Sequence, residues 1–107
     1  MHAMTPVKKA KHIGIVACSY EGAALCYKTI CNEGATYLGE HAHPEISMHT
    51  FPLSEYMEYI YRDEWDGVAR LMQATARKLI SIGAEVLVCP DNTIHRVYPL
   101  AKEGINT

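Results

Sequence analysis

The sequence predicts an α/β fold in three layers, with a parallel sheet of strand order 2-1-3 and helices on both of its faces. Two observations lead to this prediction. Short apolar runs typical of buried strands alternate with longer segments of helical periodicity. The first run is also apolar on both faces, as expected of a strand covered by helices on each side. Right-handed crossovers then make the first and third strands neighbours, and a crevice opens at their carboxyl ends.

The first half of the chain contains a strand, a helix and a second strand. The first strand is predicted at residues 12–18, and a helix at about residues 22–33 follows it. Ser19 is placed to cap this helix, and Gly34 is expected to end it. The second strand is predicted at residues 45–51, where apolar and polar residues alternate. The apolar stripe expected on the helix consists of Ala23, Ala24, Tyr27, Ile30 and Cys31.

The second half adds two helices and a third strand. A short tyrosine-rich helix is predicted at residues 54–61, and its tyrosines are expected to form a lid or a partner surface. Asp63 is the predicted N-cap of the next helix, Asp66 places negative charge in its first turn, and Gly83 is expected to end it. The third strand is predicted at residues 85–89. The core-facing stripe of the longer helix is Trp65, Val68, Leu71, Met72, Thr75, Ala76, Leu79 and Ile80.

Size, charge and cysteine usage limit the classes of function. A chain of 107 residues is one domain, predicted here to comprise a lead-in at residues 1–11, partly a tag, and a lobe at residues 12–107. With a net charge of −2, neither a nucleic acid nor a membrane surface is expected as a partner. No apolar run approaches the roughly 20 residues that span a bilayer. No export signal is visible, so a cytoplasmic location with reduced thiols is expected.

Candidate catalytic and binding groups gather where the predicted strands end. Residues 89–95 place a thiol, a carboxylate, an amide, a hydroxyl and an imidazole on one short segment after the third strand. Parallel strands bring such segments to one edge of the sheet. The catalytic candidates are Cys89 and Asp91. The candidates for substrate binding are Cys18, Ser19 and Tyr20 after the first strand, Thr50 at the end of the second, and Asn92 and Thr93 after the third.

Simpler interpretations of the same residues stay open. Cys89 is equally suited to be an inert core thiol at a strand end, and Asp91 to a local capping role. His95 is placed to bond a backbone carbonyl or to face water. A metal cluster would need more than the three imidazoles of His41, His43 and His49, and no fourth ligand is apparent, so no metal is expected.

Several stretches of the chain share a pattern with a known family. They are Ile13-Gly14-Ile15, Tyr27 through Asn32-Glu33-Gly34, Leu38-Gly39, Glu64-Trp65-Asp66, Gly83-Ala84-Glu85 and Asn92-Thr93-Ile94-His95. In these stretches the chain resembles the amino-terminal half of the aspartate/glutamate racemase family. The resemblance extends over about residues 12–99. The Asn-Thr-x-His segment after an apolar strand is the most specific of them.

The resemblance implies a cofactor-independent amino-acid racemase with two pseudo-symmetric lobes, each of which supplies one cysteine. A thiolate on one lobe takes the α-proton of a small amino-acid ligand, and a thiol on the other lobe returns a proton to the opposite face. Backbone N–H groups would hold the substrate carboxylates. This chain would be one lobe without the second, expected to be inactive alone and to form a homo-oligomer.

The chain differs from the family pattern at the catalytic position. The family cysteine lies directly before Asn-Thr or one residue earlier. Here Asp91 and Pro90 hold these two positions, and Cys89 lies three residues before Asn92. Some family members also place an arginine after the second strand, whereas the first arginine here is Arg62. An alternative is therefore a relative of altered chemistry that binds a small carboxylate without racemising it.

Overall fold

The computed structural model describes residues 11–90 and has a three-stranded parallel sheet of order β2-β1-β3. The predicted fold class and strand order are confirmed. Ile13 pairs with Ile46 on one side and with Val86 on the other. The elements are β1 (Ile13–Val16), α1 (Tyr20–Leu38), β2 (Ile46–His49), α2 (Leu53–Tyr61), α3 (Trp65–Ser81) and β3 (Val86–Val88).

Alternate residues of the central strand face two separate cores, which gives the three layers. Ile15 and Ala17 point towards α1, where they pack with buried Ala23. Val16 and Cys18 point to the opposite face, which α2 and α3 cover. This second core is the larger, and its buried members on the two helices are Tyr56, Val68, Ala69, Met72, Ala76 and Leu79. The side chains that follow β1 are therefore divided between two different helical layers.

The prediction that Gly34 ends α1 is wrong, because the helix continues to Leu38 with Gly34 inside it. Gly34 is buried, and a Cβ at this position would lie 2.8 Å from the Cβ and 2.9 Å from the Cα of His43. Glycine at this position thus lets the backbone of the following loop approach the helix closely. The buried stripe is also narrower than predicted, since Ala24 and Tyr27 are exposed.

The amino end of α3 differs from the prediction, and its carboxyl end agrees with it. Glu64 is the N-cap residue rather than Asp63, which has φ +56° and accepts a hydrogen bond from the Trp65 indole. Gly83 follows the helix with φ +103°, and its N–H donates to the Ile80 carbonyl at 3.0 Å. The N–H of Ala84 donates to the Leu79 carbonyl, also at 3.0 Å, which completes a Schellman motif.

The core stripe of α3 is displaced slightly from the predicted one. Ile80, which was predicted to be core, is exposed, while Trp65 and Leu71 are half-buried. The small residues Gly67 and Ala69 are buried instead, because α2 crosses close to this part of α3. Among the described residues, the buried positions of α3 are Gly67, Val68, Ala69, Met72, Thr75, Ala76 and Leu79.

Candidate functional site

The segments that follow β1 and β3 meet at the carboxyl edge of the sheet. These strands are parallel neighbours, so both end at the same edge. The first turn of α1 lies directly beside the residues that follow β3, since a Cβ built on Gly22 would be 4.0 Å from the Pro90 carbonyl oxygen. Two of the candidate segments, residues 18–20 and residues 89–90, are thus adjacent in space.

Cys18 and Cys89 both face the α2–α3 layer. Cys89 follows Val88, which pairs with Ile15 of β1, and both cysteines pack in the larger core. Cys18 is buried, with 7% of its surface exposed, whereas Cys89 is half-buried. None of the four cysteines, all of which lie in the described part of the chain, forms a disulfide. Of the two strand-end thiols, Cys89 is therefore the one that a small molecule reaches more easily.

Tyr56 of α2 lies in the same core as these two thiols. Its side chain has 0% exposure, and its hydroxyl has no hydrogen-bond partner among residues 11–90. The pKa of the Tyr56 phenol is raised to about 12, mainly by burial, and negative charge on Cys18, Cys89 and Glu55 contributes to the rise. The nearby Thr75 hydroxyl lowers the same pKa, but the two groups do not meet hydrogen-bond geometry. The phenol is consequently protonated at neutral pH and acts only as a donor towards a thiolate.

The expectation that the tyrosines of α2 form a lid or partner surface is wrong for Tyr56. Tyr59 is half-buried, with the guanidinium groups of Arg62 and Arg70 over its ring at 5.7 and 5.9 Å. Tyr61 is 80% exposed. The three tyrosines of α2 thus differ in burial: Tyr56 is buried, Tyr59 is half-buried and Tyr61 is exposed.

A second polar group lies at the end of β2. His49 Nδ1 is 2.9 Å from the Thr75 hydroxyl oxygen, and the Lys78 ammonium is 3.5 Å from His49 Nε2. Burial, followed by the charge of Lys78, lowers the pKa of His49, so the imidazole is neutral at pH 7. If Lys78 donates to Nε2, the proton of His49 is on Nδ1 and is donated to Thr75. Sequence reasoning missed this cluster, although a threonine within an otherwise apolar stripe was a signal for it.

The remaining candidates for substrate binding lie at the edge but make local contacts. Ser19 is the N-cap residue of α1, with an extended backbone, yet its hydroxyl does not bond to the N–H groups of the first turn. Tyr20 is 69% exposed. Thr50 donates a hydrogen bond to the Phe51 carbonyl at 2.7 Å. Thr50 follows β2, and β1 separates it from Cys89, so the structure does not bring these two side chains together.

The candidates Asp91, Asn92 and Thr93, together with His95, lie outside the described residues, which end at Pro90. The family-like Asn-Thr-x-His segment, residues 92–95, is therefore located only by its position in the sequence, where it follows Cys89, Pro90 and Asp91.

The histidines considered as metal ligands have separate contacts. His41 lies 3.4 Å from the Glu40 carboxylate, and His43 Nδ1 lies 2.7 Å from the Pro44 carbonyl. Within residues 11–90, no group of three or more metal-ligating side chains is placed to hold a metal ion. No helix in that same part of the chain is long and apolar enough to cross a membrane.

An open parallel sheet with reactive side chains beyond the ends of its strands defines an α/β lobe of the kind that binds small ligands at this edge. The crystal structure of a protein from Yersinia pestis, described as a “putative Asp/Glu Racemase”, is similar to the chain with a TM-score of 0.82 and 25% sequence identity. The similarity covers 89% of this chain and 42% of that protein. The resemblance to Asp/Glu racemases is thus confirmed at the level of the fold, and the chain spans less than half of the relative, a share consistent with one lobe. No protein-family model matches the chain, and no curated protein matches it.

Proposed function

We propose that this chain is one lobe of a cofactor-independent amino-acid racemase, an isomerase, and that its half of the active site is the carboxyl edge of the sheet. The observation that supports this most is Cys89, a half-buried thiol at the end of β3, in a fold that resembles an Asp/Glu racemase. The ligand would be a small amino acid or a related carboxylate.

The reaction explains why one lobe is insufficient. Inversion of an α-carbon requires a base on one face and an acid on the other. On this lobe the Cys89 thiolate would take the α-proton, and the electron pair of the broken C–H bond would pass to the carbanion. A group on the opposite lobe would then deliver a proton to the other face. Residues 1–107 supply one of these two groups.

Binding of the substrate carboxylate would use the amino end of α1. This end of the 19-residue helix carries a partial positive charge and lies beside Pro90. The Ser19 hydroxyl does not cap its first turn, so backbone N–H groups are available for an anion. Asn92 and Thr93, which follow Cys89 closely in the sequence, would add polar contacts.

Ligand protection tests the binding half of the proposal on the 107-residue chain. Amino acids and small carboxylates are added during alkylation with iodoacetamide, and the rate at each cysteine is followed by mass spectrometry. We expect a bound ligand to slow alkylation of Cys89 and to leave Cys31, on α1, unchanged. If no ligand in the panel slows alkylation of Cys89, the site is elsewhere.

The alternative function is binding of a small carboxylate without racemisation. It is favoured by Asp91, which replaces the cysteine of the family next to Asn92. Asp91→Cys in a chain joined to a second lobe separates the two functions. If α-proton exchange begins only after this substitution, the alternative is supported. If the unsubstituted two-lobe chain already exchanges the α-proton, the racemase is supported.

Self-association stays a prediction. Tyr20, Tyr27 and Leu38 leave apolar surface exposed along α1, and a second lobe or a second copy of the chain would cover such a surface. A cytoplasmic location and the absence of a nucleic-acid or membrane partner likewise stay expectations from the sequence.

A further inference from the structure

The buried hydroxyl of Tyr56 has no structural explanation in the fold itself. Nearly all buried polar groups have a hydrogen-bond partner, and each exception requires a reason. Phenylalanine would fill the same space without leaving a donor unpaired. The Tyr56 ring is wholly buried between α3 and the sheet, and its hydroxyl has no partner among residues 11–90.

Tyr56 and Cys18 are buried in one core, Cys89 packs against it, and groups on each neighbouring element lie close enough to shift the pKa of this hydroxyl. They are Cys18 after β1, Cys89 after β3, Thr75 on α3, and Glu55 on α2 itself. Of these groups, the two thiols are the ones in this core that become strong hydrogen-bond acceptors only when they ionise. Cys89 is the more accessible of the two, and only Pro90 separates it from the Asp-Asn-Thr segment.

We propose that Tyr56 is the positioning residue of Cys89, because its hydroxyl donates a hydrogen bond to the sulfur of Cys89 when that thiol ionises. This inference rests on the proposed function and deepens it, since it assigns the base of the half-site to Cys89 rather than to Asp91. A thiolate that accepts a hydrogen bond from a buried donor is stabilised relative to the thiol. Tyr56 then acts through Cys89 and need not touch the substrate.

Thr75 is the neighbouring neutral group that lowers the pKa of the Tyr56 phenol, and the Thr75 hydroxyl oxygen lies 2.9 Å from His49 Nδ1. The Tyr56 hydroxyl makes no hydrogen bond to Thr75 or to any other group among residues 11–90, so it is available to a thiolate.

The pH dependence of Cys89 alkylation in the 107-residue chain tests the proposal. Iodoacetamide reacts with the thiolate, so the rate at each pH reports the ionised fraction. We expect Tyr56→Phe to move the midpoint for Cys89 upwards by about one pH unit and to slow alkylation at pH 7 about tenfold. Cys26, which packs on the α1 face, serves as an internal reference whose rate is unchanged.

Tyr59→Phe is the matched control, since it removes the hydroxyl of a half-buried tyrosine on the same helix and keeps the ring that packs against this core. The proposal is overturned if Tyr56→Phe leaves the Cys89 profile unchanged, or if Tyr59→Phe moves it equally. Should Tyr56→Phe fail to fold, 3-fluorotyrosine placed at position 56 keeps the shape and is a stronger donor. It should lower the Cys89 midpoint, and an unchanged or raised midpoint would refute the inference.

These results are separate from the test of racemisation. If no amino acid or carboxylate protects Cys89 in the 107-residue chain, yet Tyr56→Phe lowers its thiolate reactivity, the proposed function is contradicted and the role of Tyr56 is left intact. A chain whose Cys89 is protected by ligand, but whose thiol profile ignores Tyr56, contradicts only the further inference.

Discussion

Replacing Tyr56 by phenylalanine should stabilise the fold, which is the reverse of the usual effect of a core substitution. The substitution removes one oxygen atom and leaves the ring that packs between α3 and the sheet. A buried donor without a partner costs about 1–3 kcal/mol, and this cost disappears with the hydroxyl. Loss of a few van der Waals contacts offsets part of the gain. We expect the free energy of unfolding to rise by about 1 kcal/mol.

Equilibrium unfolding in urea, followed by circular dichroism, measures this change. The midpoint should increase while the slope stays constant, because the substitution hardly alters the surface exposed on unfolding. For a domain of this size, thermal unfolding should shift upwards by about 4–8 °C. If Tyr56→Phe instead lowers the free energy of unfolding by about 1 kcal/mol, the hydroxyl is paired in the fold, most directly with Thr75, and the reasoning is refuted. Tyr59→Phe is the control for loss of a hydroxyl from a tyrosine that is only half-buried.

Gly67→Ala should destabilise the chain by about 1–3 kcal/mol or more in the same assay, because the new Cβ would overlap the Tyr59 ring where α2 crosses α3. Asp66→Ala, one residue earlier and exposed, is its control, and equal stability of the two variants would place α2 elsewhere. His49 should titrate by NMR below its ordinary pKa of 6.5, because burial and then Lys78 disfavour the charged ring, and Lys78→Met should raise the midpoint. Since the fold lowers the pKa of His49, the neutral ring contributes to stability above pH 6.5. This contribution is lost as the pH falls through the lower pKa that His49 has in the fold. A midpoint at or above 6.5 would contradict this arrangement.

The order of the strands was predictable because it follows from local signals alone. Apolar runs such as Gly14 to Val16 separated by helical segments allow few topologies, and right-handed crossovers select the order 2-1-3. The ends of helices were less predictable. Glycine often ends a helix, but Gly34 lies inside α1, where the absence of a side chain leaves room for His43. That contact depends on where a later loop returns, which no local pattern of residues 30–38 contains.

The position of the two strand-end thiols at one edge of the sheet was predictable, whereas the burial of Tyr56 beside them was not. The two thiols follow strands whose ends could be located, so their placement at one edge was expected. The burial of Tyr56 was not visible, because the spacing of Tyr56, Tyr59 and Tyr61 does not show which of them points into the core. The way α2 crosses α3 decides which tyrosine enters the core, and Gly67 allows the two helices to approach closely at the crossing. The contact between His49 and Thr75 joins positions 26 residues apart and likewise depends on the packing of α3 on β2.

Exchange of the α-proton of amino acids in deuterated water tests the central claim most directly, with aspartate and glutamate measured first. We expect no exchange by the 107-residue chain alone, steady exchange when this lobe is joined to a second racemase lobe, and loss of that exchange in Cys89→Ser. Steady exchange by the single lobe, or exchange by the two-lobe chain that persists in Cys89→Ser, would contradict the account.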